Sequence, residues 1–211
     1  MKQVTRDFDR EAASWDQNTR RVRLAREVAE AIAGEAPLTP RMDVLDFGCG
    51  TGLLTLCLQP RVGSITGADT STGMLQSLEA KIAAQGLTNV RTLALDPSRP
   101  LALPGRYDLI VSNMTLHHVP EIPPLLACFV AALKPGGSLC LSDLDPEQGQ
   151  FHEDSQGVFH NGFERAWLRS QFEGLGLTQV RDRTAATVTK PARDGGMGEF
   201  SIFLVSGRLP D

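Results

Sequence analysis

Three glycines at every second position, Gly48, Gly50 and Gly52, follow a short apolar run in "VLDFGCGTGLLTL" and precede a second one. Glycine in such a place serves a tight turn or the close approach of backbone to a ligand. An acid, Asp46, ends the first apolar run, and a second acid, Asp69, ends the next strand-like segment, "GSITGAD". In dinucleotide folds an acid about 20 residues past the glycine turn takes ribose hydroxyls. Asp69 therefore predicts a ligand with an unphosphorylated ribose. All four histidines fall in the second half of the chain. His117 and His118 follow the strand-like "YDLIVSN", and His152 and His160 lie in the long irregular stretch Leu144 to Gly162. A neutral imidazole at such a place takes a proton from a hydroxyl or ammonium group.

The elements that must hold these residues alternate. "DVLDF", "GSITGAD", "VRTLAL", "YDLIVSN" and "SLCLSD" read as strands. "TGLLTLCL", "STGMLQSLEAKIAAQG" and "PEIPPLLACFVAAL" read as the helices between them, with Ser71 as a cap, Gly86 as a stop and "KPGG" closing the third. Continuous apolar strands between helices predict a parallel sheet covered on both faces. Before the sheet, "TRRVRLAREVAEAIAG" predicts a helix stopped by Gly34, its arginines on a solvated face. After it, Asn161 and Glu164 have the spacing of a capping box for the helix "FERAWLRSQFEGLG". Two strand-like segments, around "QVRDRTAATVT" and "FSIFLVSG", end the chain.

Composition narrows the function. The chain has 211 residues, 41% hydrophobic and 22% charged, with a net charge of -4. This is the size of one domain, and the mild acidity argues against a nucleic-acid partner. Four scattered cysteines have no zinc or CxxC spacing and predict free thiols in a reducing, cytoplasmic setting. The start of the chain lacks the apolar core of a signal peptide, and no run is long enough for a membrane span. The acids and histidines of residues 143–160 match no fixed ligand spacing, so no metal is expected.

The glycine pattern is GxGxG, with Leu53 where a nicotinamide-binding GxGxxG needs its third glycine, and no lysine follows to make a P-loop. At this point the chain resembles the class I S-adenosylmethionine-dependent methyltransferases, in particular their small-molecule members. "VLDFGCGTGLLTL" resembles their first motif and "GADTSTGML" the acidic second-strand motif. "LALDPSRPLALPGRYDLIVSNMTLHHV" resembles the third strand, its loop and the fourth strand, and "LKPGGSLCLSD" the approach to the fifth. The opening "FDREAASWD" resembles the N-terminal helix that closes over the cofactor, where Phe8 and Trp15 either pack the helix or cover the ligand.

The resemblance implies a Rossmann-like three-layer α/β sandwich with a seven-stranded, mostly parallel sheet and an antiparallel last strand. It implies one methyltransferase domain over 1–211, with an N-terminal helical cap (1–34) and a core (42–211) carrying a loop insertion at 144–162. The implied cofactor is S-adenosyl-L-methionine, and the implied partner is a small-molecule methyl acceptor. Asp46 would orient the turn or receive the cofactor's amino group. Gly48, Cys49 and Gly50 form the turn against the cofactor, although the Cys49 thiol reads as core. Asp69 would take the ribose, with Thr70 and Met74 of the same motif beside it. Asp96 would take the adenine amino group, and Asn113 would stand by the methionine moiety. His118, His152 and His160 are the candidates for orienting or deprotonating the acceptor. Two rivals remain: a nicotinamide-dependent reductase, and a cofactor-binding regulatory or scaffold protein without turnover.

Overall fold

A computed structural model describes residues 7–211; the first six residues of the expected cap lie outside it. The seven strands are β1 (Asp43–Phe47), β2 (Ser64–Asp69), β3 (Val90–Ala94), β4 (Tyr107–Asn113), β5 (Leu133–Leu144), β6 (Thr178–Pro191) and β7 (Met197–Arg208). They form one sheet in the order β3-β2-β1-β4-β5-β7-β6. The first five run parallel, and β7 pairs antiparallel with both β5 and β6. The order reverses direction between β1 and β4, so the sheet has its switch point there. Ligands in open parallel sheets bind beyond the strand carboxyl ends at such a point.

Alternation along each strand sends successive side chains to opposite faces. Val44, Leu109 and Val111 pack with Val28 and Ile32 of α2 (Thr19–Glu35), Leu54 and Leu58 of α3 (Leu53–Leu58) and Leu75 and Leu78 of α4 (Thr72–Gln85). Leu45, Ile110 and Leu139 face Leu126 and Phe129 of α5 (Ile122–Ala132) and Leu168 and Phe172 of α6 (Arg165–Gly174). A short helix, α1 (Phe8–Glu11), precedes α2. Burial on both faces is why these strands read as unbroken apolar runs.

The caps are local and readable. The Ser71 hydroxyl accepts the Met74 N–H at 3.1 Å, and Gly86, at φ 62°, ends α4. Proline in the first turn of α5 costs no hydrogen bond, because those N–H groups have no helical partner. Three expectations are corrected. Helix α2 runs through Gly34 to Glu35, because this glycine stays helical. The "KPGG" segment is not a separate closing turn; β5 starts at Leu133 and runs through it. There is no capping box at α6. Its N-cap is Glu164, without a side-chain bond, because the chain turns at Gly162, which presses against the Asp145 carbonyl.

Candidate functional site

The three glycines of the turn are glycine for different reasons. All lie at positive φ (69°, 54° and 83°), where other residues are strained. A Cβ on Gly48 would lie 2.2 Å from Thr115, and one on Gly52 2.4 Å from Leu78. Those two positions are closed by the protein's own packing. A Cβ on Gly50 would meet only the Met74 sulfur, at 3.8 Å. Gly50 alone presents bare backbone to open space, as a turn built to receive a ligand must.

Two acids hold this turn. Asp69 accepts the Gly50 N–H at 2.8 Å through one oxygen and the Ser71 N–H at 2.9 Å through the other. It thereby ties the turn after β1 to the turn after β2, and each oxygen keeps a lone pair for a further donor. Burial raises its pKa above the usual carboxylate value, against the pull of the Ser71, Gly50 and Thr70 amides. Asp46 lies beneath the turn, 1% exposed, and accepts the Thr55 hydroxyl at 2.6 Å. Burial pushes its pKa up to about 7, with the Thr55 bond opposing and the nearby Asp69 adding.

Met74 is buried beneath Gly50, and Thr70 is exposed beside Asp69. Asn113 accepts the Ser142 hydroxyl at 2.9 Å, which joins the carboxyl ends of β4 and β5. Asp96 is exposed and holds its own turn through Ser98 and Arg99, at the rim of a recess of about 160 Å³ lined by residues 93–96 and 99–102. Cys49 lies inside the turn: its N–H goes to the Ala68 carbonyl, its carbonyl accepts the Gly52 N–H, and its thiol packs against Gly67.

The N-terminal segment reaches both turns through Asp9 and Asp16, two residues that sequence reasoning did not single out. Asp9 of α1 accepts the Ser71 hydroxyl at 2.6 Å and the Gly73 N–H at 2.7 Å, at the start of α4. Asp16, in the 3-10 turn Ala12–Gln17, accepts the Thr51 hydroxyl at 2.5 Å and pairs with Lys81. Lys81 also donates to the Thr51 carbonyl at 2.6 Å. Phe8 packs edge-on against both Trp15 (5.9 Å) and His118 (5.1 Å), and the Arg21 guanidinium lies 3.6 Å above the Trp15 ring.

The four histidines converge beyond the ends of β4 and β5. The loop leaving β5 folds back over the turn after β4, where the Phe159 amide donates to the His117 carbonyl at 2.8 Å. His118 bonds through Nδ1 to the Gly157 carbonyl (2.7 Å). His160 bonds through Nε2 to the Val119 carbonyl (2.9 Å) and packs on Phe163. The His152 ring lies 4.9 Å from His117 and 5.8 Å from His118. His117, which sequence reasoning placed only beside its neighbour, is the buried member. Its Nδ1 lies 2.7 Å from an oxygen of Asp143, and the two residues are 1% and 0% exposed. Parallel pairing of β4 with β5 brings these two together, a relation that no short sequence pattern carries. Among the described residues no group of three or more His, Cys, Asp or Glu side chains is arranged to hold a metal ion. No helix among them is long and apolar enough to cross a membrane.

The seven-stranded sheet with its antiparallel β7 is Rossmann-like, an arrangement shared with solved S-adenosylmethionine-dependent methyltransferases. A family model described as the methyltransferase domain matches residues 17–181, and the chain belongs to that family. Relatives include the biotin biosynthesis bifunctional protein BioCD of Bordetella avium, 34% identical over 69% of this chain and 31% of that protein. The trans-aconitate 2-methyltransferase of Deinococcus radiodurans is 39% identical over 50% of this chain and 39% of its own. The chain spans only 31% to 49% of the length of the first eight curated relatives it matches. Among solved structures, Haemonchus contortus phosphoethanolamine N-methyltransferase 2 in complex with S-adenosyl-L-methionine shares the fold. Its TM-score is 0.70 at 16% identity, over 87% of this chain and 52% of that one.

Proposed function

We propose that the protein transfers the methyl group of S-adenosyl-L-methionine to a small-molecule acceptor. The observation that carries this is Gly50, whose bare backbone faces open space while Asp69 fixes its amide and retains acceptor capacity. The cofactor supplies a methyl on a positively charged sulfur, already a good leaving group. What remains for the chain is binding, orientation and exclusion of water. The Gly50 turn admits the ligand, Asp69 receives the ribose hydroxyls, and Asp46 stiffens the turn from below through Thr55. Thr70, Met74, Asn113 and Asp96 border the same cofactor side. Positioning nucleophile and methyl in line supplies roughly 7–11 kcal/mol of such a barrier. The histidine cluster and the loop at 144–162 form the acceptor side, and Phe8 and Trp15 close it from the cap.

Calorimetry with S-adenosylmethionine, S-adenosylhomocysteine and NAD tests the proposal. Binding of the first two and not of NAD is expected; NAD binding without the others would overturn it in favour of a reductase. Cofactor binding with no transfer to any acceptor class would favour the regulatory reading.

A further inference from the structure

Three of the four histidines are bonded, through one ring nitrogen, to an oxygen that can only accept. These oxygens are the Asp143 carboxylate for His117 Nδ1, the Gly157 carbonyl for His118 Nδ1 and the Val119 carbonyl for His160 Nε2. The bonded nitrogen must then carry the hydrogen, and in the neutral ring the other nitrogen is a lone pair. In each of these rings the nitrogen left without the hydrogen is the one able to accept a proton. One of the three differs from the rest. His117 is backed by a full negative charge, whereas the other two are backed by neutral carbonyls.

Asp143 is held for this task. Its oxygens also accept the Leu144 N–H at 2.7 Å and the His117 N–H at 3.2 Å. Burial alone would raise its carboxyl, yet His117 and these two amides hold it below the ordinary value. A carboxylate at hydrogen-bond distance fixes the tautomer and the orientation of the imidazole that donates to it. The other titratable groups facing His117 are His118, 4.1 Å away between ring centres on its own turn, and His152 on the loop. Neither is negative, so Asp143 is the charged partner that orients the His117 ring.

We propose that His117 and Asp143 are the proton-accepting pair of the site, and that the methyl acceptor is therefore a protic group, a hydroxyl or an amine that arrives as ammonium and must lose a proton to expose its lone pair. This rests on the methyltransferase reading above. On transfer, the lone pair of the acceptor atom forms the bond to the methyl carbon and the carbon–sulfur bond breaks toward sulfur. The acceptor's proton moves to Nε2 of His117, leaving imidazolium against carboxylate. A carboxylate or thioether acceptor has no proton to lose and would make no use of the pair.

The test begins without an acceptor. Long-range proton–nitrogen spectra of the ¹⁵N-labelled full chain with S-adenosylhomocysteine should show neutral His117 protonated on Nδ1. A neutral His117 protonated on Nε2 overturns the pair and leaves the methyltransferase reading standing; absent S-adenosylhomocysteine binding breaks that reading instead. Labelled methyl transfer is then measured to a panel of a phenol, a primary amine, a short carboxylic acid and a thioether. Label in the phenol identifies a hydroxyl acceptor and label in the amine an ammonium one. In either case the rate should rise tenfold per pH unit on the acid side, then level. Asp143→Asn should lower transfer by roughly 10²–10⁴ with S-adenosylhomocysteine affinity within about twofold. Label in the carboxylic acid or thioether, or a rate independent of pH, overturns the proposal.

Discussion

The two halves of the site are built by opposite means. On the cofactor side, the turns after β1 and β2 are backbone constructions, with glycines at positive φ and amides fixed by Asp69. On the acceptor side, the work falls to side chains that a long loop delivers onto the turn after β4, with His118 on Gly157 and His160 on Val119. The first half is rigid because each group has a close, local partner. The second depends on where a segment of nearly twenty residues comes to rest. A backbone cradle suits the part of a ligand that never varies. A side-chain wall suits the part that distinguishes one acceptor from another.

The largest effects should separate Gly48 from Gly50. Gly48→Val drives a side chain into Thr115 and should abolish folding, seen as loss of the thermal transition. Gly50→Val should leave a cooperative melt, lowered by the 1–2 kcal/mol that a positive φ costs about any branched residue, while removing detectable S-adenosylhomocysteine binding. Equal loss of folding in both variants would make the turn purely structural.

Asp46→Asn comes next. Burial pushes the Asp46 carboxyl in the folded chain up to about 7, well above the ordinary carboxylate value. A raised carboxyl stabilises the fold below the lower value and loses that contribution as pH climbs through the higher one. The span corresponds to a ceiling on the order of 4 kcal/mol. The asparagine variant does not titrate, so its melting temperature relative to wild type should rise between pH 4 and pH 8. Each kcal/mol is worth roughly 2–4 °C in a chain of this size. A constant difference across that range would show that Asp46 is not the titrating group.

Asp69→Ala should weaken S-adenosylhomocysteine binding by about 10- to 150-fold, the loss of roughly 1.5–3 kcal/mol from hydrogen bonds to a charged group. An unchanged affinity in calorimetry would remove Asp69 from ligand contact. The smallest effect falls on the acceptor side. His160→Ala should hold S-adenosylhomocysteine affinity within about twofold and lower transfer less than tenfold, because its Nε2 is spent on a backbone carbonyl. A loss as large as that of Asp143→Asn would move the proton-accepting role to His160.

The same contrast explains what could be read in advance. The GxGxG turn, Asp69, the Ser71 cap and the Gly86 stop are short-range patterns, because each answers a local need of the backbone. The inner strands β1, β4 and β7 were legible because burial on both faces leaves a nearly continuous apolar run. His117 and Asp143 lie 26 positions apart, and Asp16 and Thr51 lie 35 apart, and only the sheet and the cap bring them together. Asn161 misled for a related reason. Its carbonyl is taken by the Glu147 amide inside the loop, so a pattern that fits a helix start serves a loop closure. Cys49 reads as a core thiol inside the turn, and its thiol faces Gly67.

The carboxylates of Asp9 and Asp16 grip the two turns on either side of Gly50, one at the head of α4 and the other at Thr51. For a cofactor bound between the turns as proposed, release is expected to require both grips to loosen. Occupancy of the site and its residence time are then governed separately, the first by Asp69 and Gly50, the second by the cap. A variant such as Asp16→Asn should hasten the release of S-adenosylhomocysteine in stopped-flow exchange far more than it changes the affinity.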